Sequence, residues 1–158
     1  MKRTKRRMAI CLVLLVCLLV FIWGNSLLPG EASGAFSAWV KDLFARLFGW
    51  QSADQDPAGH GLLRKLAHFT EFFLLGLDLS WLMHMLRRKK WEAALFALGC
   101  GFLVACTDET IQRFVPGRGP GWADVGIDTL GVALGTGLLL LIIILKQRKT
   151  KLLEENKL

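Results

Sequence analysis

The sequence predicts an all-α integral membrane protein, a four-helix bundle with one additional amphipathic helix at the membrane interface. Of the 158 residues, 53% are hydrophobic, and most of these fall in four long apolar runs. A run of about 20 such residues is long enough to cross a bilayer. The formal charge of +7 arises from Lys and Arg placed between the runs. Since they form no stripe interleaved with stacking aromatics, we expect no nucleic-acid partner.

Four transmembrane spans are predicted within a single domain that covers 1–158. They are 8–28, 62–86, 91–114 and 122–145. The first follows basic residues as a secretory signal would, but its apolar run exceeds the roughly 7–15 residues of a signal core, so we expect it to be retained. The last two spans are separated by 115–121, whose Pro and Gly content cannot continue a helix.

The basic residues predict the orientation of these spans. The amino-terminal arm, the link at 87–90 and the carboxy-terminal tail hold 14 of the 20 Lys and Arg residues, with three acids. Loops rich in Lys and Arg remain in the cytoplasm. We therefore expect a multi-pass protein of the inner membrane with both termini in the cytoplasm and a net acidic outer face.

An amphipathic helix is predicted at 34–49, between the first two spans. Its apolar positions follow helical spacing and are Phe36, Trp39, Val40, Leu43, Phe44, Leu47 and Phe48. Such a face suits a helix lying flat in the headgroup layer. We interpret it as an anchor or packing element, with a lid or substrate guide as the alternative.

Nine polar side chains are predicted to converge near the outer face. They are Lys65, His68 and Glu71 on the second span, Asp108, Glu109 and Gln112 on the third, Asp124 and Asp128 on the fourth, and Arg118 in the turn. Ionisable groups within a span are costly unless they face protein or water, and they usually mark functional sites. A hydrated pocket is therefore the prediction. The alternative is a structural network with a Lys65–Glu71 ion pair and a histidine that is simply hydrogen-bonded.

The residue types suggest roles within this pocket. Lys65 and Arg118 are predicted to bind phosphate, with Gln112 and Asp128 completing the substrate contacts. Should the pocket catalyse a reaction, the acid, base or metal-ligating residues are predicted to be His68, Glu71, Asp108, Glu109 and Asp124. A divalent cation is the one cofactor that these residue types suggest. Many acids count against simple anion binding unless they are paired with bases or hold a cation.

Two further features lie deeper in the spans. Asp78 is the one carboxyl in mid-span, which indicates either a proton relay or a carboxyl that is hydrogen-bonded or protonated inside the bundle. Gly131 and Gly135 are four residues apart, a spacing that lets another helix approach closely.

Three segments together resemble the VanZ-like family of bacterial membrane proteins. They are KLAHFTEF at 65–72, DETIQRFVPGR at 108–118 and WADVGIDTLG at 122–131. The resemblance covers about 62–135, and NSLLP at 25–29 is similar to the usual opening of the family. Two positions depart from the pattern: Phe72 replaces a frequent Tyr, and Asp128 replaces a usual Asn and adds a charge. The resemblance implies a bacterial envelope protein associated with glycopeptide resistance, chiefly to teicoplanin. Many members of the family lie outside resistance clusters, so a housekeeping role in the envelope is equally compatible.

These observations together lead to one expected function and one rival. The outer-face pocket is expected to bind or modify an anionic membrane lipid or a lipid-linked cell-wall precursor, which would reduce antibiotic access. The rival is a non-enzymatic scaffold or a small transporter that uses the face from Glu71 to Asp78 as a polar path. Whether the chain is an enzyme, and its oligomeric state, stay open at this point.

Overall fold

A computed structural model describes residues 2–32, 62–86, 88–119 and 121–155, with the single positions 35, 39, 42, 43 and 46. Its four long helices are α1 (Lys2–Ser26), α2 (Leu62–Met85), α3 (Lys90–Gln112) and α4 (Trp122–Glu155). All four are long and apolar enough to cross a membrane, which confirms the predicted fold class. Both α1 and α4 continue through basic segments beyond the predicted spans, because Lys and Arg are good helix formers.

The predicted interfacial helix at 34–49 lies mostly outside the described residues. The five described positions in this range are Ala35, Trp39, Asp42, Leu43 and Arg46, and each is helical. Arg46 and Asp42, one turn apart, form an ion pair of 2.8 Å. Trp39 is 60% exposed.

The most extensive helix pairing joins α2 to α4, and glycines at the interface make it possible. A Cβ atom at Gly131 would lie only 2.6 Å from the carbonyl oxygen of Phe69, and one at Gly135 would overlap the carbonyl of Phe73. The α4 backbone thus lies directly against the α2 backbone. Membrane helices commonly associate through such small-residue contacts, because apolar side chains gain little by leaving lipid.

Small residues also let α3 approach its neighbours. Ala93, Ala97, Gly101 and Ala105 recur every fourth residue and are all buried. A Cβ atom at Gly101 would lie 2.5 Å from a methyl group of Val132, so this face of α3 packs against α4. By contrast, α1 leaves many apolar side chains exposed, as expected of a helix that faces lipid.

The helices alternate in direction, so the same end of the bundle gathers four helix termini. These are the carboxyl ends of α1 and α3 and the amino ends of α2 and α4, and we call this end the site end. Hydrogen bonds of Gln112 with Ser26 and Arg64, and from Gly121 to Glu109, define this end. The opposite end carries the described basic residues Arg6, Arg7, Lys89, Lys90 and Lys146.

Candidate functional site

A cavity of about 260 Å³ lies at the site end, among α2, α3, α4 and the turn joining α3 to α4. Six predicted site residues line it, namely Lys65, His68, Glu109, Gln112, Asp124 and Asp128. Arg64, Gly119 and Ile127 complete the lining. Side chains from three separate helices therefore do meet, as the cost of isolated charge in a span requires.

Arg64, rather than Lys65, faces the other helices. Lys65 is exposed at the cavity rim, whereas Arg64 is half-buried. The reason is helical geometry: with 3.6 residues per turn, positions 64, 68 and 71 share one face, and position 65 is rotated away from position 71. The described residues contain no Lys65–Glu71 ion pair, so the structural alternative is wrong in that respect.

Gln112 connects three helices through its side-chain amide. Its Oε1 accepts a hydrogen bond of 2.7 Å from Nη2 of Arg64. Its Nε2 donates to Oδ2 of Asp108 at 2.8 Å and to Oγ of Ser26 at 3.2 Å. Because Arg can only donate, the amide oxygen must face it, which turns the NH₂ group toward Asp108.

His68, Asp108 and Asp128 form a buried cluster beside the cavity, with exposed fractions of 8%, 0% and 1%. One potential ligand atom from each lies within 4.8 Å of the other two. Nδ1 of His68 is 3.8 Å from Oδ2 of Asp108, too far for a hydrogen bond. These three side chains have the donor types and the proximity that a metal ion requires.

Glu71 is buried behind this cluster and contacts α1 rather than the cavity. Its Oε1 accepts a hydrogen bond of 3.2 Å from Nδ2 of Asn25. Its Oε2 has no hydrogen-bond partner among the described residues. Glu71 therefore joins the charged cluster to the carboxyl end of α1.

Glu109 and Asp124 occupy the side of the cavity nearest the turn. Oε2 of Glu109 accepts a hydrogen bond of 2.9 Å from the backbone N–H of Gly121, just before α4 begins. Asp124 lies in the first turn of α4, where a negative charge interacts favourably with the helix dipole. These two carboxylates thus help to fix the start of α4.

Arg118 attaches the turn between α3 and α4 to the end of α1. Its Nη2 donates to the carbonyl of Asn25 at 2.7 Å and its Nε to the carbonyl of Leu28 at 3.0 Å. The turn bends at Gly117, whose φ of 72° favours glycine. Burial lowers the pKa of Arg118 to about 10, so the guanidinium still carries its charge at neutral pH. Arg118 does not line the cavity. Its contacts with Asn25 and Leu28 hold the turn against α1, a structural role that the sequence did not predict.

Three contributing residues were missed by the sequence reasoning: Arg64, Asn25 and Ser26. The signal for Arg64 was its four-residue spacing from His68, which places both on one helical face. For Asn25 and Ser26, the signal was a polar pair at the end of an apolar run. Ser26 is fully buried, so its hydroxyl needs the amide of Gln112 as a partner.

The charges of the site do not balance. Glu71, Asp108, Glu109, Asp124 and Asp128 give five negative charges when ionised, against three positive charges from Arg64, Lys65 and Arg118. For these described residues the formal charge is −2 with neutral His68. The arrangement therefore combines cations at the cavity with buried carboxylates and one imidazole, groups suited to binding an anion together with a divalent cation.

Comparison with known proteins confirms the resemblance found in the sequence. No curated protein and no solved structure matches the chain. A family model described as VanZ/LLP1 matches residues 11–145, which include most of all four helices and every residue of the site. This chain, with its four helices suited to crossing a membrane, belongs to the VanZ/LLP1 family.

Proposed function

We propose that the cavity binds the phosphate-bearing headgroup of an anionic envelope lipid or a lipid-linked cell-wall precursor. The observation that carries this proposal is the position of Arg64 and Lys65, adjacent on α2, in the lining of one cavity. Arg offers a planar fork of donors that matches phosphate oxygens, and Lys contributes a mobile point charge. Arg118 adds positive charge behind them.

The cavity size supports a headgroup rather than a whole lipid. Its volume of about 260 Å³ is slightly below the roughly 300–1,000 Å³ of pockets that enclose a drug-sized ligand. The acyl or prenyl chains would remain in the bilayer, against the exposed apolar side chains Leu66 of α2 and Leu130 of α4. A cavity beside such surfaces suits a ligand with a polar head and an apolar tail.

The charge distribution supports a location at the outer face of the bacterial inner membrane. The basic residues at the opposite end of the bundle, such as Arg7, Lys89 and Lys146, would remain in the cytoplasm. Both termini would then be cytoplasmic, and the cavity would face the compartment in which glycopeptides act. Fusions of the carboxy terminus to alkaline phosphatase and to green fluorescent protein test this topology: fluorescence without phosphatase activity is expected.

A binding experiment tests the headgroup proposal directly. Purified protein in detergent is titrated with a polyprenyl monophosphate and, separately, with zwitterionic phosphatidylcholine. Preference for the monophosphate is expected, and Arg64→Met should weaken it roughly 10-fold or more, because a charge-assisted hydrogen bond is lost. Arg88→Met is the matched control, since it removes the same charge from the opposite end. Equal weakening by both variants, or equal affinity for the two lipids, would contradict the proposal.

The link to glycopeptide resistance is tested in cells. Expression of the chain is expected to raise tolerance to teicoplanin, and Arg64→Met, at an equal protein level, is expected to abolish that gain. If the wild type and Arg64→Met raise teicoplanin tolerance to the same extent, the cavity does not cause the tolerance, and a scaffold function is favoured instead.

The packing argues against the rival transporter. A polar path from Glu71 to Asp78 would have to pass Phe72 and Leu75, and both side chains are fully buried in the apolar core. Asp78 instead accepts a hydrogen bond from Cys11 of α1. The two carboxyls therefore belong to separate environments within the described bundle.

A further inference from the structure

We propose that His68, Asp108 and Asp128 form a binding site for one divalent transition-metal ion. Each residue comes from a different helix, α2, α3 and α4 respectively, so the site exists only in the folded bundle. All three ligand atoms lie within 4.8 Å of one another, and one pair already has a separation that a bound ion allows. Two metal–ligand bonds of about 2.1 Å span up to about 4.2 Å, which accommodates the 3.8 Å between Nδ1 of His68 and Oδ2 of Asp108.

Unpartnered buried polar atoms converge at this cluster. Nδ1 of His68, Oδ1 of Asp108 and both carboxylate oxygens of Asp128 have no hydrogen-bond partner among the described residues. All three residues are more than nine-tenths buried. Buried polar atoms are rarely left unpaired in native proteins, so we expect a cation to accept lone pairs from the imidazole nitrogen and the carboxylate oxygens. The neighbouring Gln112 already orients Asp108 through its Nε2, as hydrogen bonds commonly orient metal-ligating carboxylates.

The donor set indicates the class of metal. One imidazole nitrogen with two carboxylate oxygens suits first-row dications such as Zn²⁺ or Mn²⁺, whereas Mg²⁺ and Ca²⁺ prefer oxygen ligands alone. A dication would also cancel the formal charge of −2 on the site. Acids beside an anion-binding cavity would then assist phosphate binding instead of opposing it.

The ion would be accessible from the cavity. His68 and Asp128 line the cavity, and three protein ligands leave at least one coordination position for a phosphate oxygen or a water molecule. This last step rests on the proposed function, whereas metal binding by the three side chains does not. The two can therefore fail separately.

Metal content tests the site without reference to lipid. Purified protein is treated with a chelator, dialysed, incubated with Zn²⁺ or Mn²⁺, and analysed by mass spectrometry for bound metal. About one ion per chain is expected. Asp128→Asn and His68→Gln, both nearly isosteric, should each reduce the metal content at least tenfold at micromolar free metal. Asp78→Asn is the matched control, because it changes a partly buried carboxyl outside the cluster and should leave the metal content unchanged.

The outcomes separate the two proposals. Less than one tenth of an ion per chain in the wild type, or full occupancy in Asp128→Asn, would overturn the metal site while leaving the headgroup proposal to its own titration. Binding of Mg²⁺ or Ca²⁺ in preference to Zn²⁺ and Mn²⁺ would also overturn it. Conversely, one ion per chain together with no preference for the polyprenyl monophosphate would support the metal site and contradict the headgroup proposal.

Discussion

Nη2 of Arg64 donates a hydrogen bond of 2.7 Å to Oε1 of Gln112, which ties a cation on α2 to a buried amide on α3. Because this bond fixes which way the amide faces, it also directs the NH₂ group toward Asp108 and Ser26. A residue at the cavity surface thereby controls the orientation of a carboxylate that is fully buried. The amide of Gln112 is thus the junction between the cavity and the interior of the bundle.

Replacing Gln112 by Met is expected to destabilise the protein. The substitution keeps the length of the side chain but removes the partners of Arg64, Asp108 and Ser26. An unsatisfied buried polar group costs about 1–3 kcal/mol, so a loss of that size in the free energy of unfolding is expected. Unfolding in mixed detergent micelles measures it. The control is Gln147→Met, at an exposed position of α4, which should have little effect; equal effects of the two variants would contradict the network.

Replacing Gly135 by Ala should separate α2 from α4. A Cβ atom there would overlap the backbone carbonyl of Phe73, which cannot move aside as a flexible side chain would. Overpacking of this kind costs about 1–3 kcal/mol. Gly137→Ala is the control, because no described atom beyond its chain neighbours and the adjacent backbone of α4 lies within 4 Å of its Cβ position, and Ala is the better helix former. Thermal unfolding in detergent should rank Gly137→Ala at or above wild type and Gly135→Ala clearly below it.

The hydroxyl of Thr136 provides a polar contact inside the apolar core. It accepts a hydrogen bond of 3.1 Å from Oγ of Ser80 and donates one of 3.4 Å to the carbonyl of Gly76. Thr136→Val preserves the shape of the side chain and removes both bonds. Each hydrogen bond between membrane helices contributes about 0.6 kcal/mol on average, so a loss of about 1 kcal/mol is expected for the two. Thr129→Val should cost less, since the hydroxyl of Thr129 donates to the carbonyl of Val125 in its own helix; the reverse order in unfolding measurements would contradict this assignment.

The fold was predictable because four apolar runs and the cost of an unsatisfied backbone in lipid leave few alternatives. The convergence of polar groups followed from the same cost. The finer geometry did not follow from it. Which of Arg64 and Lys65 faces the other helices depends on the rotation of about 100° per residue along a helix. Residues spaced by three lie on a face that turns gradually around the helix axis. The cluster of His68, Asp108 and Asp128 depends on three helices meeting at one depth, which no local pattern specifies.

The mid-span carboxyl Asp78 is paired with a thiol: Sγ of Cys11 donates to its Oδ1 at 3.0 Å. A carboxyl within a span needs such a partner, and the observed bond agrees with the expectation of a hydrogen-bonded carboxyl inside the bundle. Since Cys11 also packs beside Met83 and Ala93, its replacement changes both packing and hydrogen bonding. A single substitution therefore cannot separate the two contributions.

A double-mutant cycle isolates the bond between Cys11 and Asp78. Cys11→Ala is expected to lower the free energy of unfolding by about 1 kcal/mol more in the presence of Asp78 than in an Asp78→Leu background, because the packing loss is common to both. Cys17→Ala, at an exposed position of the same helix, should show no such coupling. A coupling energy of zero for Cys11 and Asp78 would mean that the thiol packs against the carboxyl without stabilising it.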